Sequence, residues 1–595
     1  MDILLVSSIN ALWPEPELAP YLGGLLLRDI LIDDYEVEYI DFGVVGEIVK
    51  TLPSDDPDKA MEILARCIIG KRPKVVGFYT VCNTFIFTVQ VASLVREMDA
   101  GIKIVFGGPH ATVTAESCMK HLGFLDVICL GEAELSIKPL MNALTRGGDM
   151  ASVPGIMYRK DGGTVINKPA AQLRDEELGK YTVYDYAPYL LDSTMMANIE
   201  GGRGCPYGCT FCSTSNFWGR SFRLKPAEVL INEMDKLHEL YGVSSFGILH
   251  DHFTADKQRT REFCQRLIDS RRGYKWSCSA RADSFDAELI DLMKESNCFA
   301  IFLGIETGSN RMQRVIKKNL IVEDALETIR LIHERGIKAR VSFIYGFAEE
   351  TEEDFLETLA MIETVYMMGT RLIQMHPFSI TPATEDARKV KDKLYFDKNA
   401  ILEYSLYNKN LFSEKCIRQI KRYPDLYEQY YTFDTPVRKK YRNIDTLIHM
   451  LVFLSSYCRN SMERLIGIYG LAGLYLKYES FFRDLRERID RIAAAERNRT
   501  EDLALVYGVF EQILKSEIEE IGDPGFEQLC KYERYMVEFI VDKTGKPVIH
   551  EFVLDMEELI KNGNCVPANC NLLYYSRDGQ IITTKCSSIV DILGL

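Results

Sequence analysis

Twice along this chain, short apolar runs alternate with stretches of helical period, and that rhythm restricts the fold more than any other feature of the sequence. Strands separated by helices pair in parallel, because each parallel connection needs a crossover long enough to hold a helix. In the first 150 residues, Ile3–Ser7, Glu36–Ile40, Val75–Tyr79, Ile104–Phe106 and Val127–Leu130 read as strands, with helical stretches such as Thr84–Met98 and Ala133–Thr145 between them. An α/β fold with a Rossmann-like doubly wound sheet is expected over residues 1–150. Residues 151–195 read as a connector with two short β-patterns around the turn Asp161-Gly162-Gly163. The second alternation fills residues 196–390, with strands expected at Met196–Glu200, Ser244–Leu249, Lys275–Ser279, Ala300–Gly304, Lys338–Ile344 and Leu372–Pro377. These βα units suit a partial (β/α)6 barrel of TIM type, whose active site belongs at the carboxyl ends of its strands. Residues 391–595 read mainly as helix with a small α/β tail, and are expected to cover the barrel mouth and select the substrate.

Composition narrows the class. A chain of 595 residues is too long for one ordinary core. Its net charge of −15 and pI near 5.3 argue against a broad footprint for nucleic acid. The start, Met1-Asp2-Ile3-Leu4-Leu5-Val6, lacks a basic segment ahead of its apolar run, and the sixteen cysteines are scattered through a large chain. Both features predict a reducing, cytoplasmic setting. The apolar stretches Leu447–Ser455 and Leu465–Leu476 fall short of the roughly 18 residues a spanning helix needs, so no membrane span is expected.

One cysteine cluster stands apart. Gly201-Gly202-Arg203-Gly204-Cys205-Pro206-Tyr207-Gly208-Cys209-Thr210-Phe211-Cys212 brings three thiols onto a loop that glycines and a proline let curl around a cofactor. Structural zinc usually takes four protein ligands, and no fourth Cys or His stands nearby in sequence. Three thiolates on a four-iron cluster would leave one iron open to a substrate. Zinc and unrelated thiols remain the plain alternatives.

This C-x3-C-x2-C loop, following the first strand of a βα array, resembles the signature of the radical S-adenosylmethionine (SAM) enzymes. The resemblance implies a [4Fe-4S] cluster on Cys205, Cys209 and Cys212 whose open iron chelates SAM, and an electron that breaks a sulfonium bond to give methionine and a 5′-deoxyadenosyl radical. Phe211 stands where the family has a ring beside the third cysteine. Phe302 to Ser309 resembles the family segment in which a glutamate lies close to SAM, which makes Glu306 a SAM contact and Gly304 a point of close backbone approach; the alternative for Glu306 is a helix-entry carboxylate. Ser342-Phe343-Ile344-Tyr345-Gly346-Phe347 resembles a strand end near the SAM ribose, followed by a helix with Thr351 as N-cap and Asp354 three later. Arg281 faces SAM or substrate in this reading, against a structural ion pair in the other. Relatives carry two acidic residues where this chain has His250-Asp251-His252, so His250 and His252, with Asp251 in register, are candidate proton donors or substrate contacts.

The first domain carries a second resemblance. Tyr79-Thr80, then Gly107-Gly108-Pro109-His110, then Gly131-Glu132 are similar to the cobalamin-binding domain that precedes the radical SAM barrel in one large subfamily, the class B methyltransferase-like enzymes. Glycines at these strand ends would let the backbone approach the cofactor. No D-x-H-x-x-G histidine is present, which implies cobalamin without a histidine on its lower face; a degenerate domain that only covers the barrel is the alternative. The expected activity is methylation of an unactivated carbon in a natural-product, peptide or lipid substrate, with electrons from a donor such as flavodoxin or ferredoxin. Oxidation, cyclisation or ring rearrangement with the same cofactors is the second reading, and a non-catalytic cluster-containing sensor the third. Cys565, Cys570 and Cys586 either bind a second cluster or sit in an ordinary hairpin near Asp578-Gly579.

Overall fold

The computed structural model describes residues 1–7, 21–42, 52–53, 56–186, 193–398, 412–491 and 499–541, and residues 548–586 apart from 555, 557–558, 561–566 and 578–579. The chain forms two compact units, one of residues 1–355, 376–439 and 493–495, the other of 356–375, 440–492 and 496–595.

The first unit holds the first alternation and the second as far as Phe355. Its first sheet contains β1 (Ile3–Val6), β2 (Val37–Ile40), β3 (Val75–Tyr79), β4 (Lys103–Gly107), β5 (Val127–Cys129), β6 (Ile156–Lys160) and β7 (Gly163–Ile166), in the spatial order β2-β1-β3-β4-β5-β6-β7. The five earlier strands are parallel, and β6 and β7 join antiparallel. Residues expected to form a connector thus supply the last two strands of this sheet. The order 2-1-3-4-5 places a topological switch point between β1 and β3, where such sheets take their ligands. All of β1 is buried, as a central parallel strand covered on both faces must be. Part of that cover comes from far along the sequence: Ile417, Ile420, Leu426, Tyr427 and Tyr430 join the same core, and the Tyr430 hydroxyl accepts the Ile86 N–H at 3.1 Å.

The second sheet is the barrel wall. It contains β8 (Met196–Glu200), β11 (Ser245–Leu249), β12 (Lys275–Ala280), β13 (Cys298–Glu306), β14 (Lys338–Tyr345) and β15 (Leu372–Pro377), in the order β15-β14-β13-β12-β11-β8. Between β8 and β11 lies an antiparallel ribbon that the sequence reading did not separate, β9 (Gly202–Gly204) paired with β10 (Phe222–Leu224). A register shift between Gly304 and Glu306 ends β13, with Glu306 at φ +72°. The expected capping pair is present: Asp354 accepts the Thr351 N–H at 2.9 Å and Thr351 accepts the Asp354 N–H at 3.3 Å.

The second unit is mainly helical, with Ile444–Leu454, Arg459–Lys477, Glu479–Arg491, Arg499–Ile521 and Pro524–Val541. It closes with a three-stranded antiparallel sheet of β16 (Val548–Leu554), β17 (Pro567–Arg577) and β18 (Gln580–Cys586). Cys565 lies outside the described residues; Cys570 stands on β17 and Cys586 on β18, which pair as a hairpin.

Candidate active site

The ribbon β9–β10 carries the cysteines on the loop between its strands. The loop is fastened at Thr210, whose N–H donates to the Ile316 carbonyl at 3.0 Å and whose hydroxyl donates to Asp386 Oδ2 at 2.6 Å, while the Asp386 N–H returns to the Thr210 carbonyl at 3.1 Å. Phe211 anchors the same loop in a small aromatic cluster, 5.8 Å from the Phe347 ring. Cys205, Cys209 and Cys212 are half-buried and line one cavity of about 680 Å³ at the carboxyl ends of β8, β11, β12 and β13. The thiols share this cavity without being drawn to a common point: among the described residues no three His, Cys, Asp or Glu side chains are arranged as a metal-ligand set.

Cations face the thiols. Burial raises the Cys209 thiol, and the nearby Lys318 and Arg281 charges partly oppose that shift. Burial also raises Cys205. Lys318, which sequence reasoning missed, is buried and places Nζ 2.8 Å from Glu306 Oε1, with both residues on the cavity wall beside Gly304. Glu306 is therefore an ion-paired carboxylate, not the helix-entry alternative. Arg281 lies over the Tyr207 ring at 3.6 Å, is bidentate to Asp283 at 3.0 and 2.8 Å, and donates to the Lys318 carbonyl at 2.7 Å. It is at once a structural ion pair and part of the cavity wall.

At the end of β11, Asp251 accepts the Gly204 N–H and the Thr214 hydroxyl, both at 3.2 Å, and so braces the ribbon. His250 lines the cavity and is buried; burial lowers its pKa, and the Asp251 charge and the Arg203 and His252 backbone oppose that shift. His252 is not on the wall. Its ring lies 5.8 Å from Tyr207, and burial, then the Arg281 charge, lowers its pKa to about 3. Gly346 also lies off the wall; its N–H donates to Glu350, whose carboxyl burial pushes up to about 8.

A second cavity, about 430 Å³, opens at the carboxyl ends of β1, β3, β4 and β5. Tyr79, Gly107, Gly108, Gly131 and Glu132 are all on its wall. Thr80 is not: its hydroxyl donates to the Gly107 carbonyl at 2.8 Å and accepts the Ala111 N–H at 2.9 Å, so it shapes the loop from behind. His110 also turns away, its ring tilted against Phe85 at 4.1 Å with its Nε2 unpartnered, and burial lowers its pKa to about 3. Gly108, at φ +95° and ψ 176°, forms a cradle that a side chain would fill, since a Cβ there would lie 2.8 Å from the Thr80 carbonyl oxygen.

The two donor sets fit the two cofactors. Three thiols on one fastened loop beside an open cavity suit a cluster with a free iron, and the glycine-edged cavity at the switch point suits a large flat cofactor. Comparison with known proteins agrees. Residues 199–362 match the radical SAM superfamily, and residues 21–140 match the B12 binding domain. An uncharacterized methyltransferase of Pyrococcus horikoshii is 28% identical over 57% of this chain and 72% of its own length. The anaerobic magnesium-protoporphyrin IX monomethyl ester cyclase of Rubrivivax gelatinosus is 23% identical over 82% of this chain and 87% of its own. The radical SAM methyltransferase TsrM from Kitasatospora setae, solved with cobalamin and a [4Fe-4S] cluster, shares the fold at a TM-score of 0.54 and 17% identity, covering 82% of this chain and 99% of that one. No helix among the described residues is long and apolar enough to cross a membrane. With the cysteine loop in its barrel and the glycine cradle in the sheet before it, the chain is a radical SAM enzyme with a cobalamin-binding domain, using a [4Fe-4S] cluster, SAM and cobalamin.

Proposed function

We propose that this enzyme moves a methyl group from SAM to an unactivated carbon of a natural-product precursor, peptide or lipid. One observation carries the reading: Tyr79, Trp218 and Asp251 belong to the walls of both cavities, so the cobalamin-side and cysteine-side cavities adjoin. When bound, the cluster with SAM supplies a carbon radical and cobalamin supplies a methyl carrier. The chain's residues do the rest. Cys205, Cys209 and Cys212 hold the cluster, and Glu306 and Arg281 face SAM from the strand ends with Gly304 between them. Lys318 holds the Glu306 carboxylate in place through their ion pair. Tyr79, Gly107, Gly108, Gly131 and Glu132 form the cobalamin loop wall. His250, buried at the wall, offers a hydrogen bond to substrate. Apolar side chains such as Leu22, Phe217 and Trp218 keep water from a reactive radical. A small low-potential protein such as flavodoxin or ferredoxin would deliver electrons in a reducing, cytoplasmic compartment.

The test is the fate of SAM in anaerobically reconstituted protein with hydroxocobalamin and a low-potential reductant. Both 5′-deoxyadenosine and S-adenosylhomocysteine are expected when substrate is present. The second reading, oxidation or ring closure without methyl transfer, is favoured by the cyclase relative's match over 82% of the chain, and would give deoxyadenosine without S-adenosylhomocysteine.

A further inference from the structure

Arg203 lies two residues ahead of Cys205 on β9 and is almost wholly buried. Its guanidinium reaches three carboxylates: Glu200 at 2.7 Å, Glu132 at 3.0 Å and Glu134 at 2.6 Å. Glu132 also takes Arg223 of β10 at 2.6 Å. Both strands of the cysteine ribbon are therefore ion-paired to the 131–134 loop, and that loop is part of the cobalamin cavity wall. The Trp218 ring covers both guanidinium groups, 5.8 Å from Arg203 and 5.5 Å from Arg223. Burial alone would raise the Glu200 carboxyl, but the Arg203 and Lys225 charges outweigh it and hold it below its ordinary value. The adjoining Glu233, paired more loosely with Lys225 at 3.5 Å, is pushed by burial up to about 7. A buried node of this kind tolerates little displacement, because moving one partner leaves a desolvated charge unpaired.

We propose that the node of Arg203 with Glu132 and Glu134 is a positioning device that couples the two cofactor sites, so that ordering the cobalamin loop holds the cysteine ribbon in place and the reverse. Arg203 lines both cavities and acts by fastening the ribbon to the loop. Coupling between two binding equilibria is reciprocal. A filled cluster site therefore tightens cobalamin by the same factor by which cobalamin tightens the cluster. The inference rests on both cofactors binding and not on which product forms, so a missing methyl transfer leaves it standing.

The experiment measures the dissociation constant of hydroxocobalamin for the full chain, with and without the reconstituted cluster, in the wild type, Glu134→Gln and Arg203→Lys. Far-UV circular dichroism checks the fold of each. The wild type is expected to bind cobalamin at least about five-fold tighter with the cluster present, and the variants less than about two-fold tighter. Absence of coupling in the wild type, or equal coupling in folded variants, overturns the proposal. Should both variants fail to fold, hydrogen exchange of the wild type decides: cobalamin is expected to slow exchange in residues 204–212, which lie off the cobalamin cavity wall, and unchanged exchange there overturns the proposal.

Discussion

Substituting Gly108 by alanine is expected to weaken cobalamin binding far more than the same change at Gly131, although both glycines edge the same cavity. Gly108 sits at φ +95° and ψ 176°, a region essentially closed to residues with a side chain, and forcing one there costs about 1–3 kcal/mol. A Cβ would also come within 2.8 Å of the Thr80 carbonyl oxygen and 2.9 Å of the Tyr79 ring. Neither neighbour yields easily: the Thr80 N–H donates to the Gly107 carbonyl at 2.9 Å and the Thr80 carbonyl accepts from His110 at 3.3 Å. The loop must move instead, and binding must then restore it. A total near 3 kcal/mol corresponds to a dissociation constant raised about 100-fold. Gly131, at φ +69°, has no heavy atom within 4 Å of a built Cβ, so only the left-handed backbone is penalised, by about 1 kcal/mol or roughly five- to ten-fold. The assay is a hydroxocobalamin titration followed by quenching of tryptophan fluorescence, since Trp218 lines the cavity. Wild-type affinity in the Gly108 variant, or a larger loss at Gly131, would show that the Gly108 backbone does not shape the cobalamin cavity.

Three further outcomes follow from the buried charges. Lys318→Met strands the Glu306 carboxylate and is expected to lower the stability of the apoprotein by about 3 kcal/mol, with most of the loss recovered in Lys318→Met/Glu306→Gln; thermal unfolding reads both. Gly304→Ala would bring a Cβ 2.4 Å from Glu306 Oε1 and 3.1 Å from Lys318 Nζ. Those are ends of flexible side chains, so the fold should survive while SAM affinity falls about ten-fold or more by equilibrium dialysis. The His110 pKa falls from 6.5 to about 3 on burial, so its neutral ring contributes stability that is full above pH 6.5 and lost as pH falls toward 3. By pH 5 the loss is about 2 kcal/mol, and His110→Phe should flatten the acid limb of a stability profile between pH 7 and 5.

The strands of both sheets were legible because period-two and period-3.6 patterns are local, and observed ends fall within one or two residues of the expected ones. Glu306 and the cysteine loop were legible because their neighbours in sequence carry the pattern. Lys318 was not: it follows a short helix, beside Lys317, with no motif to mark it, and only the return of the chain under β13 brings it to Glu306. Arg203 stood inside the quoted glycine-rich motif, yet its partners Glu132 and Glu134 are some seventy residues away, at a distance no spacing argument reaches. His110 illustrates the reverse failure. Its position after two glycines suggested a cofactor contact, and helix phase turned its ring toward Phe85 instead. The same limit hid the segment around Tyr427 and Tyr430, which reads as the opening of a separate last third but completes the core of the first sheet.

The most direct test of the account is whether SAM cleavage depends on the three thiols. Anaerobically reconstituted wild-type protein with a low-potential reductant is expected to release 5′-deoxyadenosine, and Cys205→Ala, Cys209→Ala and Cys212→Ala are each expected to lose both the cluster absorbance and that product. A wild type that yields no deoxyadenosine, or a cysteine variant that still yields it at the wild-type rate, would contradict the assignment of these thiols to a SAM-cleaving cluster.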